Sequence, residues 1–214
     1  MPPSAFIPVA EGSSLILDLG DWVLAAAARQ LRHWTQQGAV PAAFYLSVNI
    51  SPRQFQQQDF PERVQRIFEG AGADLRRLVL ELTEGVLVRD SAEAAGKMRV
   101  LRQAGVRFFI DDFGTGYSSL AYLKRLPVDG LKIDQSFVRD LGSDANDAAI
   151  VETILVMASR FALQVVAEGV EQPEQLRFLR ALDCRCFQGY LFSRPLDAAQ
   201  FALDWLHPAV QPQA

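Results

Sequence analysis

Apolar and polar residues follow two different periods along the chain. Short apolar runs are separated by longer stretches in which apolar residues recur at i, i+3, i+4 and i+7, the spacing of an amphipathic helix. In Asp21–Trp34, for example, Leu24, Ala27, Ala28 and Leu31 share one helical face. The apolar runs predict strands at Phe44–Ile50, Leu78–Leu82, Val106–Ile110, Gly130–Ile133, Gln164–Ala167 and Arg185–Gln188.

The stretches between these strands predict helices. They are Asp21–Trp34, a segment from Pro52 to about Gly70, Ser91–Ala104, a segment from near Ser118 to before Pro127, Asp147–Phe161, Pro173–Leu182 and Ala198–Leu206. We expect Asp147–Phe161 to be the longest of them. Regular alternation of strand and helix predicts one α/β domain over residues 1–206, followed by a disordered tail over residues 207–214.

Composition and charge exclude several classes of function. A net charge of -4 provides no basic surface for a nucleic-acid polymer. No apolar run is long enough to span a bilayer, and the first residues lack the pattern of a signal peptide. Cys184 and Cys186 form a lone C-x-C pair, which favours neither a zinc site nor a structural disulfide. We therefore expect a cytoplasmic protein.

Polar residues stand at or near the end of each predicted strand. They are Asn49, Glu81, Asp111 with Asp112, Lys132, Glu168 and Gln188. Each has an ordinary structural role open to it, such as a turn residue, a helix cap or a salt-bridge partner. In a closed (β/α) barrel, however, these strand ends converge on the face where catalytic groups collect. Their recurrence on successive strands favours one shared site.

The segment Val106–Ser119, VRFFIDDFGTGYSS, is the centre of this pattern. Its strand delivers the adjacent carboxylates Asp111 and Asp112 to a glycine-rich turn. Two adjacent negative charges repel each other and need a metal ion or hydrogen-bond donors to offset the repulsion. Carboxylate and amide oxygens suit Mg²⁺ or Mn²⁺ better than Zn²⁺. Two reactions remain open. One is metal-assisted phosphodiester hydrolysis with Lys132 beside the attacking water, and the other is enolisation with Lys132 as the base.

Several motifs in the chain are specific to one protein family. SVNIS, ELTE, DDFGTGYSSL, LKRLPVDGLKID, AEGVE and FQGYLFSRPL occur in this order. Together they closely resemble the EAL-domain family of bacterial cyclic di-GMP phosphodiesterases, over essentially the whole chain. The resemblance implies a TIM-like (β/α) barrel that linearises cyclic di-GMP to pGpG with two Mg²⁺ or Mn²⁺ ions.

The resemblance also implies a role for individual residues. The implied metal ligands are Asn49, Glu81, Asp111, Asp112 and Glu168. Lys132 resembles the lysine near the attacking water, Glu168 resembles a glutamate that binds the second metal or acts as base, and Gln188 completes the site. Glu84 resembles the glutamate that steadies the loop after Asp112, and Arg194 is expected to contact substrate with Gln188. In the family that loop links the metal site to a homodimer through the helix near Ser118.

The chain departs from the family pattern at its beginning. The Glu-Ala-Leu strand with its metal-binding glutamate, and an arginine shortly after it, do not occur before the first matching segment, MPPSAFIPVAEG. About six strands are predicted where a closed barrel has eight. We therefore expect an N-terminally truncated barrel, preceded in its natural context by the missing strands and by sensor or cyclase domains, and deficient in hydrolysis without those strands. A catalytically inactive receptor or interaction module, and a fragment without a stable fold, are the alternatives.

Overall fold

The computed structural model describes residues 2–88, 91–116 and 123–206. Within this part of the chain, parallel strands form one six-stranded sheet whose spatial order is the chain order. The strands are β1 Leu46–Ile50, β2 Leu78–Thr83, β3 Arg107–Phe113, β4 Gly130–Ile133, β5 Gln164–Ala167 and β6 Cys186–Phe187. The sheet curls so that β5 approaches the residue before β1. Gln164 Nε2 on β5 lies 3.2 Å from Tyr45 Oη there. The predicted α/β fold, a TIM-like barrel wall of six strands, is confirmed.

Helices connect the strands. They are α1 Pro3–Glu11, α2 Leu15–Gln36, α3 Pro52–Gln56, α4 Phe60–Ala71, α5 Glu84–Val88, α6 Ser91–Gln103, α7 Gln135–Arg139, α8 Ala145–Arg160, α9 Pro173–Ala181 and α10 Ala198–Phe201. A 3-10 turn covers Leu75–Arg77, and a π-helical turn covers Ala202–Leu206. In the described ranges, no helix has the length and apolar character needed to cross a membrane.

Several predicted helix bounds were wrong. The longest described helix is α2, with 22 residues, rather than α8 with 16. Gly20 lies inside α2 where the Gln54 side chain of α3 packs closely against the helix. A Cβ at this position would lie 1.6 Å from Gln54 Nε2, so the glycine permits this packing. The helix predicted after Pro52 is two helices, α3 and α4. The helix predicted from near Ser118 to before Pro127 begins outside the described ranges, and residues 123–126 of it are mostly turn and bend. The tail from His207 lies outside the described ranges.

The two faces of the sheet have different roles. Alternate residues such as Leu80 on β2, Ile110 on β3 and Leu131 on β4 join the core between the sheet and the helices. Residues of the opposite parity point to the inner face of the curl, and these include Glu81 and Lys132. The polar ends of the strands therefore meet inside the curl rather than in the helix-packed core.

Candidate active site

Polar side chains from five strand ends form one cluster inside the curl. Lys132 Nζ lies 2.7 Å from Glu81 Oε2, 3.1 Å from Asp111 Oδ1 and 2.7 Å from Glu168 Oε1. The Cα atom of Asn49 on β1 pairs with that of Glu81 on β2, which places the amide beside the same carboxylates. Residues as far apart in the sequence as Glu81 and Lys132 are thus in direct contact. We call Asn49, Glu81, Asp111, Lys132 and Glu168 the strand-end cluster.

A β-bulge brings Asp112 to the same site as Asp111. Between β3 and β4 the pairing passes from Ile110 with Leu131 to Phe113 with Ile133, so β3 contains one extra residue. Asp112 has a φ of 53°, in the left-handed region that non-glycine residues seldom occupy. Adjacent residues of a regular strand point to opposite faces, and the bulge removes this restriction. One carboxylate oxygen each from Asp111, Asp112 and Glu168 lie within 4.8 Å of one another.

The charges in the cluster are strongly coupled. Burial alone would lower the pKa of the Lys132 ammonium, but attraction to Glu81, Asp111 and Glu168 outweighs it, and the pKa is raised. Lys132 therefore carries a positive charge at neutral pH. Burial raises the pKa of Glu168, and the contact with Lys132 opposes this effect. Partial burial raises the pKa of Asp112, and the neighbouring Asp111 and Asp134 charges raise it further.

The Asn49 amide faces two carboxylates. One terminal atom of the amide lies 2.9 Å from Asp111 Oδ2 and 3.3 Å from Glu81 Oε2. With the amide nitrogen in this position, Asn49 donates hydrogen bonds to both groups. With the oxygen there, three oxygens converge, which is the arrangement that a bound cation stabilises.

Glu84 points at the loop that follows Asp112. Its carboxylate oxygens are buried and make no hydrogen bond to the described residues. A Cβ on Gly116 would lie 3.0 Å from Glu84 Oε2, so glycine permits this approach. On the other side of the loop, a Cβ on Gly114 would meet the Phe137 ring at 2.9 Å. Glu84 therefore lies beside the described part of the loop, whose end is outside the described residues, and its loop-stabilising role stays a prediction.

Gln188 lies one strand away from the cluster, whereas Arg194 contacts Tyr190. The Gln188 backbone N–H donates to Ala167 O at 2.8 Å, which places Gln188 one strand away from Glu168. Its side chain is exposed, and the Arg194 guanidinium stacks on the Tyr190 ring at 4.7 Å. In the described ranges, neither side chain hydrogen-bonds to the strand-end cluster.

Two parts of the site were missed by the sequence reasoning. Asp134, which follows β4, lies close enough to Asp112 for its charge to raise the pKa of the Asp112 carboxyl, and the Lys-x-Asp spacing with Lys132 could have identified it. Helices α1 and α2 also wall a cavity of about 480 Å³ at the cluster. Apolar residues line one side and site residues the other, among them Ile7, Ile16, Leu19, Val23, Asn49, Glu81, Asp111 and Asp112. A second cavity of similar volume, between α8 and residues 182–186, contains none of the cluster.

The donor set fits divalent metal ions. The cluster offers carboxylate and amide oxygens and includes neither a thiolate nor an imidazole among the described residues. Oxygen-only ligands suit Mg²⁺ and Mn²⁺. Asp111, Asp112 and Glu168 could hold an ion directly, and Asn49 and Glu81 lie beside Asp111.

Comparisons with known proteins place the chain in a family. The family model described as "EAL domain" matches residues 1–195. The chain is 42% identical over 198 residues to the bifunctional diguanylate cyclase/cyclic di-GMP phosphodiesterase MucR of Pseudomonas aeruginosa, covering 92% of this chain and 29% of MucR. It is 44% identical over 197 residues to the cyclic di-GMP phosphodiesterase NbdA of the same organism, covering 92% of this chain and 25% of NbdA.

A solved structure agrees. The structure described as the PaMucR phosphodiesterase in complex with c-di-GMP has a TM-score of 0.90 and 41% identity, over 94% of this chain and 81% of that one. The chain spans about a quarter to a third of the length of these curated relatives. Because the family match covers nearly the whole sequence, the chain belongs to the EAL domain family.

Proposed function

We propose that this domain hydrolyses cyclic di-GMP to linear pGpG with the help of Mg²⁺ or Mn²⁺. One observation supports the proposal above the others: the Lys132 ammonium and three carboxylates from separate strands share one inward-facing site, with 2.7–3.1 Å between their charged atoms. Burying so many charges costs stability, which favours a functional reason for keeping them. The names of MucR and NbdA, and the ligand of the related structure, point to the same substrate.

The metal ligands proposed here are Asn49, Glu81, Asp111, Asp112 and Glu168. When bound, a pair of divalent ions would polarise the phosphodiester and lower the pKa of water. The bulge serves this arrangement because it gives two adjacent carboxylates access to the same space. The charge of Asp134 would add to the negative potential around Asp112 that a bound cation offsets.

The other residues would act on the substrate directly. Lys132 stays charged and would offset the negative charge that develops on the phosphate oxygens in the transition state. The Glu168 carboxylate, whose pKa is raised, is suited to accept a proton from the attacking water, or it serves as a metal ligand. Gln188 and Arg194 would bind the phosphate or the base from the open side of the site.

The partners are proposals as well. The relatives are much longer than this chain, and the printed name of MucR includes a diguanylate cyclase activity. We propose that sensor or cyclase domains precede this domain in its natural protein. A homodimer through the segment near Ser118 would connect such domains to the loop that faces Glu84.

The test is turnover of cyclic di-GMP by the protein that the natural gene encodes. With saturating Mn²⁺ or Mg²⁺ we expect pGpG, measured by anion-exchange chromatography, and with EDTA we expect none. Asp111→Asn should lower turnover by about a hundredfold or more, because it replaces an anionic ligand by a neutral amide. Asp183→Asn is the matched control: Asp183 is exposed, pairs with Arg185 and has a φ of 60° that asparagine tolerates.

The outcomes separate the two functions considered from the sequence. Loss of turnover in Asp111→Asn but not in Asp183→Asn supports the phosphodiesterase. Saturable binding of cyclic di-GMP without turnover, at any metal concentration, identifies an inactive receptor instead. Full turnover in EDTA contradicts the role given to the carboxylates.

A further inference from the structure

Lys132 occupies the middle of the proposed metal-ligand set. Its Nζ atom contacts one oxygen each of Glu81, Asp111 and Glu168, and its side chain is only 6% exposed. Over residues 2–88, 91–116 and 123–206, no second cation lies within ion-pair distance of these three carboxylates. The ammonium and a divalent ion would therefore compete for the same oxygens.

We propose that Lys132 is a built-in counter-ion that weakens the binding of divalent ions to this site. The inference rests on the metal dependence proposed above and gives Lys132 a role distinct from transition-state stabilisation. An ammonium held at 2.7–3.1 Å from the ligand oxygens repels any cation that binds to them. Because the Lys132 side chain is buried, solvent ions screen this repulsion poorly.

Charge balance identifies the ion that is affected most. Glu81, Asp111, Asp112 and Glu168 carry four negative charges when ionised, and Asp134 beside Asp112 adds a fifth. The Lys132 ammonium and the first divalent ion together offset three of these charges. The second ion to bind therefore meets two negative charges instead of three, and its attraction to the site is lowered by the larger fraction. Occupancy of the second position would then follow the free metal concentration.

The same geometry predicts the behaviour of the metal-free protein. Without Lys132, three neighbouring carboxylates would face one another with no cation between them. The metal-free fold would lose stability, and metal binding would restore it. A larger stabilisation by Mn²⁺ is therefore expected in the variant than in the wild-type protein.

The experiment compares Mn²⁺ binding by the wild-type protein with that by Lys132→Met and Lys132→Gln. Affinities come from isothermal titration calorimetry, with electron paramagnetic resonance to count bound Mn²⁺, and stability comes from the thermal midpoint in EDTA and in Mn²⁺. Methionine removes the charge and keeps the length, whereas glutamine also keeps a hydrogen-bond donor. We expect both variants to bind the weaker Mn²⁺ ion about tenfold more tightly or better, with a larger Mn²⁺-induced rise in Tm.

Lys97 provides the matched control. It is also buried, and its Nζ donates to Phe55 O at 2.9 Å and Gln56 O at 3.0 Å and pairs with Glu93 at 2.8 Å. Lys97→Met should lower the thermal midpoint and leave Mn²⁺ affinity at the wild-type value. The comparison with Lys97→Met separates the effect of losing any buried ammonium from the effect of losing the Lys132 ammonium, which lies among the proposed metal ligands.

The outcomes distinguish this inference from the proposed function. Tighter Mn²⁺ binding in both Lys132 variants, but not in Lys97→Met, supports the counter-ion role. Wild-type or weaker binding in the Lys132 variants overturns that role and leaves metal-dependent hydrolysis standing. A wild-type protein that binds no Mn²⁺ overturns the metal dependence itself, and the counter-ion role with it.

Discussion

Gln175 joins the loop after β5 to the end of helix α7, and its removal should lower turnover more than its effect on stability explains. The side chain is on α9 and is buried, with 3% of the residue exposed. Its Oε1 accepts from Glu171 N at 2.8 Å and Gln172 N at 2.9 Å, in the loop that begins at Glu168. Its Nε2 donates to Arg139 O at 3.2 Å, at the end of α7. One side chain therefore fixes the loop after β5 against the helix after β4.

The size of the effect follows from these bonds. Gln175→Leu removes three hydrogen bonds and leaves their partners without a protein partner, at about 1 kcal/mol for each bond. A loss of about 3 kcal/mol lowers the Tm of a domain of this size by roughly 6–12 °C. Glu168 should also lose its position relative to Lys132. Because a displacement of about 1 Å can cost about a hundredfold in rate, we expect kcat to fall between about tenfold and a hundredfold.

The assay is pGpG formation at a temperature well below each Tm, so that all variants are folded. Gln175→Glu keeps an acceptor for the loop amides but loses the donor to Arg139 O, and it should be intermediate. Leu179→Ala, a buried residue on the same helix, is the control that loses comparable stability without touching the loop. Equal kcat in Gln175→Leu and Leu179→Ala would show that Gln175 contributes stability and has no part in positioning Glu168.

Two further predictions concern parts of the fold away from the carboxylates. Ala162 has a φ of 55° in the exposed turn after α8, so Ala162→Gly should raise the Tm by about 1–4 °C, whereas Ala181→Gly at the helical end of α9 should lower it. Burial raises the pKa of the Cys184 thiol, so less of it is thiolate at pH 8, and iodoacetamide should modify Cys186 before Cys184. Trypsin cleaves between the two cysteines after Arg185, so mass spectrometry can follow each separately, and faster modification of Cys184 would contradict the burial argument.

The sequence predicted most of the sheet because buried parallel strands have a strong apolar pattern. The bounds predicted for β4 and β5 agree with the structure. Helix α1 was missed because Pro3 and Pro8 indicate irregular chain, although proline is compatible with the first turn where Pro3 lies. As a result, the wall that α1 and α2 provide for the active-site cavity could not be anticipated.

The site was predicted as a set of strand ends, but its local geometry was not. The left-handed conformation of Asp112 results from the bulge opposite β4, and no local sequence pattern specifies how two distant strands pair. The sequence also presented salt-bridge and catalytic roles for Lys132 as alternatives. The structure shows that Lys132 pairs with three carboxylates at once, so loss of Lys132 should change both stability and turnover.

Metal-dependent hydrolysis of a phosphodiester by the carboxylates at the strand ends is tested most directly by turnover of cyclic di-GMP in ¹⁸O-labelled water. The assay uses the protein that the natural gene encodes, with mass spectrometry of the product. We predict pGpG with one ¹⁸O in its terminal phosphate when Mn²⁺ is present, because water adds to phosphorus as the ribose 3′ oxygen leaves. Unlabelled pGpG, or labelled pGpG formed at the same rate in EDTA, would contradict the account.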